Sequence, residues 1–406
     1  MTAPFDLSRD IIELTPRLVT LRRALHQRPE LAFEEVWTAA TLAERMRALG
    51  LDVQERIGGT GVLAMLDGTR AGKTLLVRAD IDAVAVAETD GRPYASMFSN
   101  RSHCCGHDVH AAIVVGVAEV LRKHRDRFAG RVAFVFQPAD EPMRGARRMI
   151  EDGLLDLVAA HMSLGVHVLP MINVGEVVVQ RGPLWASWDT RVFTISGPAP
   201  SLDAAVPFDI VRVAARVATA LYDFVEQEAC SAEPVIFRLR SLEATQSACG
   251  DPSQAAIEVH MGRGDPSQAV IEINLSLFDN ALRVRMLDAI NHLAAAIVET
   301  AGGTLSAKID YALPALVNDD HVTGALERAA ERVVGRAGIV DHWRNRFSDD
   351  FGLFMAAVPG SLMLLGTANP AKGITEIWHR PGFDVDEDAL PLGVEIMTRA
   401  VLDLLR

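Results

Sequence analysis

Ser102-His103-Cys104-Cys105-Gly106-His107-Asp108-Val109-His110 is the stretch that organises the rest of the chain. Its nine residues hold three imidazoles, two thiols and a carboxylate, the ligand types that suit zinc and its first-row neighbours. A loop over 91–100 precedes it, and an apolar helical pattern over 111–121 follows. Cys105 and His107 are therefore expected on a tight turn at a helix N-terminus, where exposed N–H groups favour a thiolate. Either residue alone would read as an inert buried thiol or a surface imidazole. The density of ligands argues otherwise.

Working outward, residues 74–79 are a β-rich run that leads to Asp80 and Asp82. A second run, 131–136, ends at Gln137-Pro138-Ala139-Asp140-Glu141, and a third, 164–168, carries His167. Helical patterns over 111–124 and 145–153 separate them. This alternation predicts an α/β class: a mixed, mostly parallel sheet covered by helices on both faces. In such folds ligands gather beyond the carboxyl ends of the strands, where all these polar residues fall. Upstream, two helical patterns between 12 and 46 flank a Pro-containing break at 26–30.

After Gly182 the character changes. An alternating strand at 189–197 leads into a Pro-rich stretch, then a helix over 209–225. Gly-Asp-Pro-Ser-Gln-Ala follows twice, at 250–255 and 264–269, before a long helix over 281–301. The two copies read as turn-plus-strand units of one small antiparallel sheet. The block 185–302 is thus an inserted, smaller α+β lid or dimerisation domain, and residues 1–184 and 303–406 form a discontinuous metal-binding domain. A strand at 361–366, the segment around His379 and a helix at 388–405 complete it.

Composition sets the outer limits. A chain of 406 residues, 49% hydrophobic, is a folded protein too long for one core. A net charge of −13 without a basic run excludes a nucleic-acid partner. No apolar run reaches the ~18 residues of a membrane helix, and residues 1–10 lack a signal-peptide plan. A cytoplasmic enzyme is the expectation. Four cysteines make no disulfide framework.

Seven segments, in order and spacing, resemble the zinc-dependent aminoacylase and carboxypeptidase superfamily, in its hippurate hydrolase and N-acyl-amino-acid amidohydrolase branch. They begin at Arg22 (Arg-Arg-Ala-Leu-His-Gln-Arg-Pro-Glu), Arg78 (Arg-Ala-Asp-Ile-Asp), His103 (His-Cys-Cys-Gly-His-Asp-Val-His), Phe136 (Phe-Gln-Pro-Ala-Asp-Glu), Gly165 (Gly-Val-His), Ser348 (Ser-Asp-Asp-Phe) and His379 (His-Arg-Pro-Gly-Phe). The resemblance implies Cys105, His107, Glu141, His167 and His379 as ligands of one or two divalent ions per subunit. Zinc is the first choice, and manganese, cobalt or nickel also suit these donors. It implies Asp140 as general base, Asp82 as a catalytic-site carboxylate that orients its neighbours, a small-molecule substrate and a homodimer through the inserted domain. A strand near 192–196 or 270–275 would supply the exposed edge for that dimer.

The sequence also departs from its relatives. The base position carries Asp140 in place of the first glutamate of a Glu-Glu pair, one methylene shorter. The stretch 197–203 lacks the lid histidine, and the position of the carboxylate-clamping arginine falls near Ser276, which offers no guanidinium fork. Arg346, in Trp343-Arg-Asn-Arg, is the candidate replacement, delivered from the metal-binding domain; Trp185 and Trp378 are candidate aromatic walls for the substrate. The leading reading is metal-dependent hydrolysis of a C–N bond in a small, non-peptide amide, with an aromatic substrate as the candidate that the tryptophans would suit. Hydrolytic deamination of an electron-poor arylamine at the same site is the alternative, and a non-catalytic metal- or ligand-binding descendant is the other.

Overall fold

The β-rich runs lie at the centre of an eight-stranded mixed sheet. Its order is Asp52–Ile57, Gly61–Asp67, Ala129–Gln137, Arg70–Asp80, Met162–Asn173, Gly360–Ala368, Val177–Val178, Ile339–Val340. The third to sixth of these run parallel, with antiparallel neighbours on either side. The structure, a computed structural model, describes residues 7–89, 91–198, 208–228, 235–244 and 268–406.

Strand alternation decides what each face does. Leu75, Val77 and Ala79 join Phe134, Phe136, Val166 and Val168 in a core under the helices Leu7–Gln27, His107–Lys123 and Ala389–Leu404. In the first of these helices Leu7, Ile11, Leu14, Leu18, Leu21 and Leu25 make the buried stripe. Each such side chain contributes roughly 1.5–3 kcal/mol of burial, and Pro29 stops the helix soon after Gln27. Arg78 points to the opposite face, over the ring of Phe351 at 5.6 Å from its centroid. The short helices Gly145–Glu151 and Phe351–Ala357 lie on that side. The α/β class, with helices on both faces, is the observed one.

The chain divides into two compact units: Met1–Leu184 with Val317–Arg344 and Asp349–Arg406, and Trp185–Leu316 with Asn345–Ser348. The second holds an antiparallel sheet in the order Thr304–Leu313, Trp188–Ser196, Gln268–Ser276, Ile236–Ala244. The helices Ile210–Glu228 and Asn280–Thr300 bury Phe193, Ile195, Ile271 and Ile273 on one of its faces.

Three expectations change here. The second unit reaches Leu316 rather than 302, because Thr304–Leu313 pairs with Trp188–Ser196. Residues 192–196 and 270–275 are not edges: both lie in the two inner strands, and Thr304–Leu313 and Ile236–Ala244 are the outer ones. The run at 164–168 continues as a strand to Asn173, so His167 is held inside a strand opposite Leu364. Of the repeated units, the copy at 250–255 lies outside the described residues, and the other is described from Gln268 onward. Residues 199–203, Cys230 and Cys249 also lie outside them. Among the described residues no helix is long and apolar enough to cross a membrane.

Candidate metal centre

His107 opens its helix directly after Gly106, which makes the turn with φ of 90°. A Cβ there would meet Val168 Cγ2 at 2.4 Å, so the sharp entry and the close packing both require glycine. His107 is fully buried. Its Nδ1 lies 3.2 Å from Asp82 Oδ1. That leaves Nε2 without a hydrogen-bond partner, facing Glu141 Oε1 at 3.7 Å and Asp80 and Asp140 oxygens at 3.8 Å each.

His167 is fixed in the same manner. Its Nδ1 donates to the carbonyl of Val168 at 2.8 Å, so Nε2 presents a lone pair, 3.9 Å from Cys105 Sγ. His110 differs. Its Nδ1 donates to Asp80 and its Nε2 accepts the Val168 N–H at 2.8 Å. Asp80, His107, His110 and His167 form a compact cluster, but both nitrogens of His110 are spent, and it acts as a prop for Asp80. Cys105, Glu141 and His379 make an adjoining cluster with ligand atoms within 4.8 Å of one another. Glu141 Oε2 is 3.3 Å from His379 Nε2, and its Oε1 is buried without a partner. All five predicted ligands thus converge in the first unit.

The turn that carries Asp140 and Glu141 is pinned through its backbone. Asp82 accepts the N–H groups of both residues at 3.0 Å each, besides facing His107. Glu35 accepts the N–H of Ala139, whose φ is 51°, and Asp350 accepts that of Ala146. Burial first, and then the charge of Asp82, push the Glu35 carboxyl up to about 7, with the Thr60 hydroxyl bond opposing. Its folded value lies above the ordinary one, so its share of stability is present in acid and is lost as pH rises through about 7. A shift of this size is worth roughly 3 kcal/mol. In the metal-free protein, Glu35→Gln is expected to flatten the fall in melting temperature between pH 5 and 8. A fall as steep as the parent's would mean that Glu35 stays ionised.

The charges of the cluster call for a cation. Burial alone would lower His107, but Asp80, then Cys105 and Asp82, push it well above its ordinary value. A proton on Nε2 therefore stands where a positive ion fits. Burial holds His167 down at about 3, in the neutral form a ligand needs. Burial, with Glu141, pushes the Cys105 thiol well up. Without a cation beside it the sulfur is held as a thiol, and a bound metal would favour the thiolate. Two orphaned ligand atoms, His107 Nε2 and Glu141 Oε1, the directed lone pair of His167 and a thiol awaiting a counter-charge fit a divalent metal.

Behind Asp140 lies a group to which sequence reasoning gave no role. Arg78, fully buried, pairs with Asp80 at 2.8 Å, with Asp140, with Asp349 at 3.1 Å and with Asp350 at 3.3 Å; its Nε donates to Gln137. Desolvation opposes ionisation throughout this cage. Arg78 still holds Asp140 below its ordinary value, while burial lifts Asp349 to about 8 and Asp350 well up. The signal was the two-residue offset of Arg78 from Asp80, which puts both on one strand face.

Of the predicted substrate residues, Trp378 lies at the centre, half-buried, its ring edge-to-face with His167 at 5.3 Å. Trp185 and Arg346 belong to the second unit. Asn345–Ser348 joins it because Asn345 bridges to Trp185, Phe347 O accepts the Ala186 N–H and Ser348 Oγ donates to Ala186 O. Arg346 is exposed and is therefore not presented by the metal-binding unit, contrary to expectation.

Fold and cluster together define a metal-dependent hydrolase. The description "Peptidase family M20/M25/M40" matches residues 76–403, and the chain belongs to that family. It is 31% identical over 392 residues to a probable hydrolase of Synechocystis, covering 95% of each chain. It is 31% identical over 380 residues to an N-acetylcysteine deacetylase of Bacillus subtilis, covering 92% of this chain and 93% of the relative. A dinuclear metal-binding M20 peptidase from Bacillus subtilis superposes with a TM-score of 0.79 at 28% identity, over 97% of this chain and 99% of that one.

Proposed function

We propose that this protein hydrolyses the amide C–N bond of a small, non-peptide, aromatic substrate, with zinc held by Cys105, His107, Glu141, His167 and His379. The observation that carries the reading is His107 Nε2, a buried and unpartnered nitrogen among three carboxylates. When bound, a pair of divalent ions supplies an activated water and a Lewis acid for the developing oxyanion. Asp82 orients His107 and the 139–141 turn. Asp140, whose Oδ2 faces the cluster, takes up and returns the proton. Trp378 walls the site beside His167 with an aromatic face. By the resemblance the carboxylate-clamping arginine would fall near Ser276, and the absence of a guanidinium at that position supports a substrate without a clamped carboxylate. The likeness to a deacetylase and a peptidase supports amide hydrolysis over ring deamination. A homodimer through the second unit belongs to the same reading, with Thr304–Leu313 or Ile236–Ala244 as the pairing edge.

The test is metal content, measured alongside hydrolysis of N-acyl amino acids, aryl amides and arylamines with added zinc or manganese. Bound metal, and aryl-amide turnover that a chelator abolishes and zinc restores, is the expected result. Ammonia from the arylamines alone would move the reaction to deamination. Metal without any turnover would leave a binding protein, and turnover indifferent to chelation would sink the metal reading.

A further inference from the structure

The five candidate ligands do not rest on equally firm supports. His107 and His167 sit in a helix and a strand of the sheet framework. His379 sits in a segment, 374–388, without helix or strand, with a φ of 58° and an exposed side chain. Its backbone N–H donates to Cys104 O at 2.9 Å. A second tie between this segment and the 102–110 turn runs through Arg22.

Arg22 lies in the first helix, and its side chain is entirely buried. Its Nε pairs with Asp108 at 2.8 Å, Nη2 with Asp384 at 3.2 Å and Nη1 with Glu387 at 3.3 Å. Asp108 directly follows His107, and Asp384 and Glu387 follow His379 by five and eight residues. One planar guanidinium therefore clasps the segments on which two candidate ligands stand. Its neighbours hold it in place: His26 Nδ1 lies 2.8 Å from the same Asp108 oxygen, and Tyr94 covers the guanidinium at 4.9 Å and donates to Asp384 at 2.8 Å. Arg92 reaches Asp384 at 2.8 Å, and Arg23 reaches Glu387. A single ammonium could not span three carboxylates in this way.

We infer that Arg22 is a positioning residue that sets His379 against Cys105 and Glu141, so that one of the two ion positions depends on it and the other does not. The inference rests on the ligand assignment proposed above. Partners that orient ligands typically change metal affinity by about 10–100-fold when removed.

The experiment titrates zinc into the metal-free protein against a chromophoric chelator, for the parent, Arg22→Lys, Arg22→Gln and Asp384→Asn. The parent is expected to take up two ions. Each variant is expected to keep one ion at parental affinity and to weaken the other by at least about 10-fold, with lysine failing to restore it. Equal weakening of both ions, or no change in either, in a variant that folds as the parent does would overturn the inference. Should the Arg22 variants fail to fold, Asp384→Asn decides, because Arg22 keeps Asp108 and Glu387, and Arg92 still donates to the carbonyls of Gly382 and Phe383. A parent that binds fewer than two ions overturns the ligand assignment itself, which separates that failure from this one.

Discussion

Arg78→Met is expected to be the most destabilising single change in the first unit, by about 3–5 kcal/mol or more. Asp80, Asp140, Asp349 and Asp350 all face this guanidinium, and all are buried. Methionine fills much of the volume but leaves the carboxylates without their cation. They must then protonate or draw in water, and either answer costs stability at neutral pH. Set against a typical total of about 5–15 kcal/mol, the loss is enough to leave little folded protein at physiological temperature. The sign with pH follows. Asp349 and Asp350 already lie above their ordinary values; without Arg78 they rise further, and Asp140 loses the charge that holds it down, so the variant recovers stability in acid and loses it as pH rises. Chemical denaturation of parent and variant at pH 5 and pH 8 measures this, and the gap should widen at pH 8. A gap independent of pH would show that the carboxylates relax without the guanidinium. Arg78→Lys should fall between the two, since a point charge cannot serve four partners in a fork.

That cage also marks where the sequence stopped being legible. The strand-end rule placed Asp80, Asp82, Asp140, Glu141 and His167 on one edge of a sheet, and the structure brings them within a few ångströms of Cys105 and His107. Apolar runs between polar ends make that rule work: the same residues that form the core fix where the polar ends emerge. Roles within the edge were harder to read. Whether His110 is a ligand or a prop depends on a backbone N–H of Val168, 58 residues away. Asp82 spends both oxygens on the turn that holds Asp140 and Glu141, which spacing alone does not reveal. The second unit misled in another way. Alternating strands look alike in sequence whether they lie at an edge or inside a sheet, and Thr304–Leu313, taken at first as part of the other domain, covers the strand expected to be open.

Asp140→Asn tests the chemistry with the fold held constant. Asparagine matches aspartate in shape, and its carbonyl oxygen can still accept from Arg78 Nη2, as Asp140 Oδ1 does. It cannot take up a proton at neutral pH. If Asp140 moves the proton, kcat is expected to fall by about 10²–10⁴, equivalent to roughly 3–5 kcal/mol of transition-state stabilisation. KM and metal content should stay near the parent's. Three measurements on one preparation, zinc per chain, KM and kcat, divide the outcomes. Zinc lost together with activity would make Asp140 a ligand. Activity retained would pass the proton to Glu141, whose Oε1 lies 3.7 Å from His107 Nε2 and has no hydrogen-bond partner. The expected split, metal kept and kcat lost, follows from position. Asp140 is gripped from behind by Arg78 and faces the cluster from 3.8 Å. The grip that lowers its basicity also fixes its place, and the second effect has to outweigh the first for an aspartate to work here.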